Sequence, residues 1–284
     1  MPVRRLCRLL EVHPSGYYAW CKVPRSAREI EDERLTGLIK QFWLESGAIY
    51  GYRKIHRDLR DIGERCGKER VRRLMKLAGL RAQVGYRRPR IKSGPASVVA
   101  PNRLQQQFTV AEPNEAWVSD ITHIRTHEGW LYLAVIVDLY SRRVIGWSMQ
   151  ARIKKELVLD ALLMAVWRRR PKGTVTVHTD QCSQYISHDW QDWQDWQDFL
   201  SDHSLQASMS RRGNCHDNAV AESFFQLLRR ERIKRHIYTT RSDARTDIVD
   251  YIEMFYNNKR RHGFNDLLSP VEYEKKFKER LVSV

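Results

Sequence analysis

The feature that most constrains this chain is the order of its apolar runs between Ala116 and Met209. Three runs, 116–125, 130–140 and 143–149, are linked only by Thr126-His-Glu-Gly and Ser141-Arg. Links this short suit consecutive antiparallel strands, because a parallel crossover needs a dozen residues or more. A helical period follows over 153–167, then a β-branched alternating strand over 174–179 and a helix over 187–203. A short strand over 205–209 and a helix over 217–235 complete the pattern. Helical stretches at 242–256 and 270–280 close the chain.

Three antiparallel strands, helix, strand, helix, strand, helix is the order of the ribonuclease-H-like α/β fold. On that fold Asp120 lies on the first, central strand, Asp180 at the end of the adjacent fourth strand, and Glu222 on a helix packed against them. Two strand-borne aspartates and one helix-borne glutamate can hold a pair of Mg²⁺ ions about 3.5–4 Å apart, clamping the attacking and leaving oxygens of a phosphodiester. The ordinary fate of Asp and Glu is a surface carboxylate, so position in the element order singles these three out. Asp138 ends the second strand and is expected to order the Ser141-Arg142 turn. Asp217 stands where a helix N-cap would. His178 and His216 are expected to be structural.

Charge divides the chain. Residues 1–108 hold 24 Lys and Arg against 10 Asp and Glu, whereas 109–284 hold 26 against 24. A basic front half ahead of a nearly neutral back half fits a nucleic-acid-binding module joined to a domain with acidic chemistry of its own. The five cysteines are an odd number without a C-x-x-C pair, which indicates neither a disulfide framework nor a standard zinc site. No apolar run approaches the about 18 residues of a membrane span, so no membrane partner is expected and reduced thiols in cytosol are the default.

Within the front half, residues 3–22 read as helix, turn, helix, interrupted at Val12-His-Pro-Ser-Gly16. A helix-turn-helix normally packs a third helix, so a missing piece is expected upstream. The next helix, 26–45, offers Ile30, Leu35, Leu38, Ile39 and Phe42 to a core. Two further helices span 50–59 and 68–80; the last offers Val71, Leu74, Met75 and Leu77. Arg53, Lys54, Arg70, Arg72 and Arg73 are the candidate DNA-binding bases, since phosphate contacts need cations at a helix surface. The expected domains are a partial helix-turn-helix over 1–25, a helix-turn-helix-like DNA-binding domain over 26–82 and a basic linker over 83–108. A ribonuclease-H-like catalytic core over 109–272 and a C-terminal helix or tail over 273–284 follow.

Five motifs in sequence carry a family resemblance: Trp117-Val-Ser-Asp120-Ile-Thr, Tyr132 to Trp147, His178-Thr-Asp180-Gln, Ser210 to Phe225, and Tyr256-Asn-Asn-Lys-Arg-Arg-His262. Together they resemble the DDE transposases of bacterial insertion sequences, second-frame product, with a retroviral-integrase-like core. The resemblance implies that Asp120, Asp180 and Glu222 are catalytic, metal-binding acids for Mg²⁺, with Mn²⁺ as a substitute. It implies metal-dependent 3′-end cleavage and strand transfer, double-stranded DNA (element ends and target) as partner, and a homo-multimer on that DNA. The upstream-frame product is a further expected partner, and the cytoplasm of a bacterium, at its nucleoid, the expected location. Arg229 falls seven positions beyond Glu222, on the same helix face, and is expected to reach DNA. The alternatives are a catalytically impaired DNA-binding remnant or repressor, and a ribonuclease-H-like nuclease without strand transfer.

Two departures bear on activity. Asp189-Trp-Gln is repeated at Asp192 and Asp195, so that 41 residues separate Asp180 from Glu222; without two copies the number is 35, the spacing of the family resembled. Six extra residues add about 9 Å and a net turn of about 240° to a helix. They must either lengthen one helix end or bulge out, and reduced activity is expected. Cys182 stands where the family has glycine, which would strain a tight backbone holding Asp180.

Overall fold

The computed structural model describes residues 2–22, 25–83, 104, 109–179, 190–209 and 219–282, for 190–195 the backbone only. The chain forms two units, Met1–Val84 and Gly85–Val284.

In the first unit, α1 (Val3–Leu9) and α2 (Pro14–Lys22) pair with each other. Pro14 opens α2 rather than interrupting it, since proline at a first helical position costs no hydrogen bond. Helix α3 (Ala27–Glu45) starts at a capping box. Ser26 Oγ accepts from the Glu29 amide at 3.1 Å while the Glu29 carboxylate accepts from the Ser26 amide at 2.8 Å. Helices α4 (Tyr52–Asp61) and α5 (Lys68–Leu77) pack on α3, burying Leu35, Ile39, Ile55, Leu59, Val71, Leu74 and Met75.

Two expected core residues lie outside. Ile30 is 56% exposed and Leu77 73%. At about 100° per residue, Ile30 falls about 160° from the middle of the Leu35–Ile39 stripe and Leu77 about 110° from the middle of the Val71–Leu74–Met75 stripe. Hydrophobicity alone does not bury a side chain that points off the stripe.

The second unit is built on a five-stranded sheet in the order β3-β2-β1-β4-β5. β1 (Ala116–Thr126), β2 (Gly129–Asp138) and β3 (Val144–Gln150) form the antiparallel meander, while β4 (Val175–Thr179) and β5 (Leu205–Met209) add in parallel. Alternation on β1 sorts the core into two layers. Val118 and Ile124 pack with Ala221, Phe224, Phe225 and Leu228 of α8 (Ala219–Glu231) and with Ala244 and Ile248 of α9 (Arg241–Asp250). Trp117 turns the other way, toward Leu157, Ala161, Leu162 and Ala165 of α6 (Lys155–Arg169). Among the described residues, no helix is long and apolar enough to cross a membrane.

Two stretches that the sequence pattern reads as single helices are divided. α8 stops at Glu231, because Arg232 takes a non-helical backbone (φ −129°, ψ −67°), and Ile233–Arg235 form a separate 3₁₀ turn. The expected 242–256 helix is α9 followed by a π-helical turn over Tyr251–Tyr256. Helix α10 (Pro270–Val282) ends the described chain.

The repeated triplet does not bulge within α7 (Trp190–Asp202), which is one unbroken helix. Leu200 is buried, and Trp196 and Phe199 pack half-buried beside it on the α6 layer. Positions 196, 199 and 200 form one helical stripe, so the last copy of the triplet is seated on the core.

Close packing of α6 on β3 passes through Gly146. A Cβ there would lie 2.1 Å from the Ala161 carbonyl oxygen and 2.9 Å from the Ala165 amide nitrogen. Gly146→Ala should therefore destabilise the chain by about 3 kcal/mol or more, at the upper end of overpacking costs. A urea midpoint equal to the parent's would show that α6 can move aside freely.

Candidate active site

Asp120 lies on β1 in the row Val118, Asp120, Thr122, Ile124, the face that meets α8. It is 9% exposed, and one carboxylate oxygen accepts from the Ile121 amide at 2.8 Å. β4 runs parallel beside β1, its last residue Thr179 paired with Ser119. Asp180, the next residue in sequence, lies outside the described residues, as do Cys182, His216 and Asp217. Glu222 is half-buried in the first turn of α8. The described residues thus bring one strand-borne aspartate and one helix-borne glutamate to the two sides of a single packed layer.

Arg229, one helix repeat beyond Glu222, does not simply project outward. Its Nη2 donates to Thr122 Oγ1 at 2.5 Å, joining the helix of Glu222 to the strand of Asp120. On the opposite face of α8, Glu231 is held by Arg260 through two hydrogen bonds, 2.7 and 2.8 Å, and by Tyr251 Oη at 2.7 Å. Burial alone would lower the Arg260 pKa, but the Glu231 carboxylate overrides it and raises it. Burial, then the Glu231 charge, holds the Tyr251 hydroxyl well above its usual range, so it stays a donor.

The same C-terminal segment ties down the meander. Asn257 accepts from the Val144 amide and donates to the Val144 carbonyl at 3.0 and 2.9 Å. Asn265 donates to the Ser141 carbonyl at 2.7 Å. Glu274, from α10, accepts from Ser141 Oγ, Arg143 and Arg169. The Tyr256–His262 motif shows no structural role in its residues alone. Its partners stand 29 and 113 positions away, beyond any local pattern.

Asp138 is structural, as expected. It is fully buried, accepts from the Tyr140 and Asn114 amides at 2.8 and 2.9 Å, and pairs with Arg169 at 3.4 Å. Burial raises its pKa to about 6, with Arg169 pulling the other way. Glu274 beside it is lowered instead: burial would raise it, but Arg169, Ser141 and Arg143 outweigh that. His178 is buried 2.9 Å from Ser208 Oγ, also a structural position.

In the helical unit, several of the candidate bases are engaged within the fold. Arg70 and Arg73 both pair with Asp32, at 2.7 and 2.5 Å, and Arg72 pairs with Glu69 at 2.6 Å. Arg73, ahead of Arg70, holds the Asp32 carboxyl below its ordinary range. Arg53 lies over the Tyr52 ring and Lys54 over the Tyr50 ring, 5.7 and 4.8 Å from the centroids.

Comparison with known proteins agrees with this architecture. Two family models, each described as an integrase core domain, match residues 110–215 and 222–277, and an HTH-like domain family matches 29–90. Transposase InsF for insertion sequence IS3A of Escherichia coli is 39% identical over 282 residues, covering 96% of this chain and 94% of that protein. An uncharacterized 31 kDa protein of insertion element IS600 from Shigella sonnei is 37% identical over 273 residues, covering 96% and 98%. The HTLV-2 integrase catalytic core, solved in complex with magnesium, has a TM-score of 0.43 at 15% identity, covering 57% of this chain and 97% of that one. Fold and relatives define a DNA transposase, a polynucleotidyl transferase of the DDE type. Within that class the chain belongs to the transposases of IS3-type insertion sequences.

Asp138 yields a pH prediction. Its folded-state pKa of about 6 lies above the about 3.9 of an unfolded aspartate. Between those values the folded state binds more protons, so the stability Asp138 contributes falls as pH rises from about 4 to about 6, then levels. Asp138→Asn should gain up to about 3 kcal/mol on the parent across that window, read from denaturant midpoints. A parent–variant difference that is flat with pH would refute this.

Proposed function

We propose that Asp120, Asp180 and Glu222 are the acids that carry phosphodiester cleavage at an element end and transfer of the freed 3′-OH to target DNA. The observation that supports this most is that Asp120 and Glu222, far apart in sequence, stand on the two facing elements of one packed layer. A carboxylate-only donor set suits a hard divalent cation, Mg²⁺ or in its place Mn²⁺. These three acids would hold it, and when bound it supplies the charge that stabilises the attacking and leaving oxygens. Among the described residues no cluster of three possible ligands occurs, Asp180 being outside them.

The chain's own residues have the remaining tasks. The layer of Phe224, Phe225 and Leu228 keeps the back of the site apolar and positions the helix of Glu222. Bases of the helical unit, Arg53 and Lys54 among the candidates with Arg70, Arg72 and Arg73, meet phosphates and give salt-dependent affinity. For Arg70 and Arg73 this means sharing Asp32 with the DNA or leaving it. The DNA is double-stranded, at element ends and target, in a bacterial cytoplasm. Pairing two ends calls for a homo-multimer, with the upstream-frame product as a further partner.

Asp120→Asn and Glu222→Gln should each lower Mg²⁺-dependent nicking of labelled element-end DNA by about three orders of magnitude or more while leaving DNA binding intact. Variants that nick and join like the parent would end the assignment. Nicks without joined strands would favour a nuclease, and a parent that never cleaves would favour a DNA-binding remnant. A second test concerns the repeated triplet. Deleting Asp192–Gln197 should raise strand-transfer rates, since metal sites tolerate placement errors of only about 0.5 Å. Unchanged rates would show that the lengthened helix leaves the acids undisturbed.

A further inference from the structure

A site made of one acid on a strand and one on a helix has a weakness: nothing in the apolar layer between them fixes how far apart they stand. Phe224, Phe225 and Leu228 of α8 resist lifting off the sheet, but apolar contacts are non-directional and permit sliding and rolling. Directional bonds must set the helix's height and roll.

Thr122 stands two residues after Asp120 and therefore on the same face of β1, about 7 Å along the strand. It is 2% exposed. Arg229 stands seven residues after Glu222, within about 20° of it around the helix and about 10.5 Å along the axis. The Arg229–Thr122 bond thus closes a frame whose two sides are β1 and α8 and whose other two corners are Asp120 and Glu222. We propose that Thr122, through Arg229, is a positioning residue that sets the separation of Asp120 and Glu222.

The opposite face of the helix is fixed independently. Glu231 is nine residues from Glu222, about 900° and hence on the far side. Its bonds to Arg260 and Tyr251 are fully buried, with the side chains of Glu231 and Arg260 0% and 7% exposed. Held on both faces within one turn of its end, α8 cannot roll, and its first turn, which carries Glu222, follows as a rigid lever.

This inference rests on the assignment of Asp120 and Glu222 as metal-binding acids, and it gives Arg229 a role beside the expected one of reaching DNA. The two roles separate when DNA is absent. A DNA contact has no effect on metal affinity without DNA; a strut does.

The test measures Mn²⁺ binding to the full chain by electron paramagnetic resonance of the free ion, without DNA, in the parent, Thr122→Val, Thr122→Ser, Arg229→Met and the double variant T122V/R229M. Asp120→Asn defines the specific component. Thr122→Val keeps the side chain's shape and removes the acceptor, and should weaken specific Mn²⁺ binding about ten-fold, the low end for losing an outer-shell partner of a metal ligand. Thr122→Ser should restore it. Arg229→Met should match Thr122→Val, and the double variant should be no weaker than either single one. Element-end DNA affinity of Thr122→Val should equal the parent's. Parent-like Mn²⁺ binding by Thr122→Val, or a double variant as weak as the product of the singles, overturns the strut. Specific binding that is absent from the parent overturns the acid assignment itself, and the strut with it; a thermal melt of each variant guards against reading unfolding as either.

Discussion

A carboxylate with no exposed surface has to find its counter-charge inside the protein, and Glu231 is the place where this chain meets that demand. Leaving such a charge unpaired costs about 3–5 kcal/mol, a large part of a domain's whole stability. Arg260 and Tyr251 meet it, and both come from the chain beyond α8. The segment after α9 must therefore return to the end of α8, and in doing so it brings Asn257 to Val144, Asn265 to Ser141 and Glu274 to Arg143 and Arg169. The strand meander and the helix of Glu222 are braced by one stretch of polypeptide.

Asp120 and Asp138 are like side chains placed in different surroundings. Both are buried carboxylates on neighbouring strands. Asp138 spends its oxygens on two amides and an arginine, which leaves it a brace for the turn after β2. Asp120 takes an amide on one oxygen and lies in the row that faces α8. In the helical unit likewise, Asp32 pairs with two of the candidate arginines. Net charge counts cations; it does not say which of them are engaged.

The strand and helix order of the core was readable because period and turn chemistry are local. β5 falls on the residues expected, and β1, β2 and β4 differ by a residue or two. Errors came where geometry overrode type. Ile30 and Leu77 are apolar yet lie off the stripe their own helices bury, and the 217–235 helix breaks at Arg232 although Glu231, Arg232, Lys234 and Arg235 around the break are good helix formers. The triplet repeat was plain in the sequence. Whether it would lengthen a helix or bulge was open until α7 proved continuous over 190–202, with Trp196 of the last copy against the core.

What the sequence determined alone was the alternation of elements, the candidate acids and the family, since each depends on residue type at short or ordered spacing. What the tertiary structure decided was pairing: Arg229 with Thr122 across 107 positions, Arg260 with Glu231 across 29, Asn257 with Val144 across 113. The reason is physical. A hydrogen bond forms between groups brought within about 3 Å, and only the packed sheet and helices set that distance for residues so far apart along the chain.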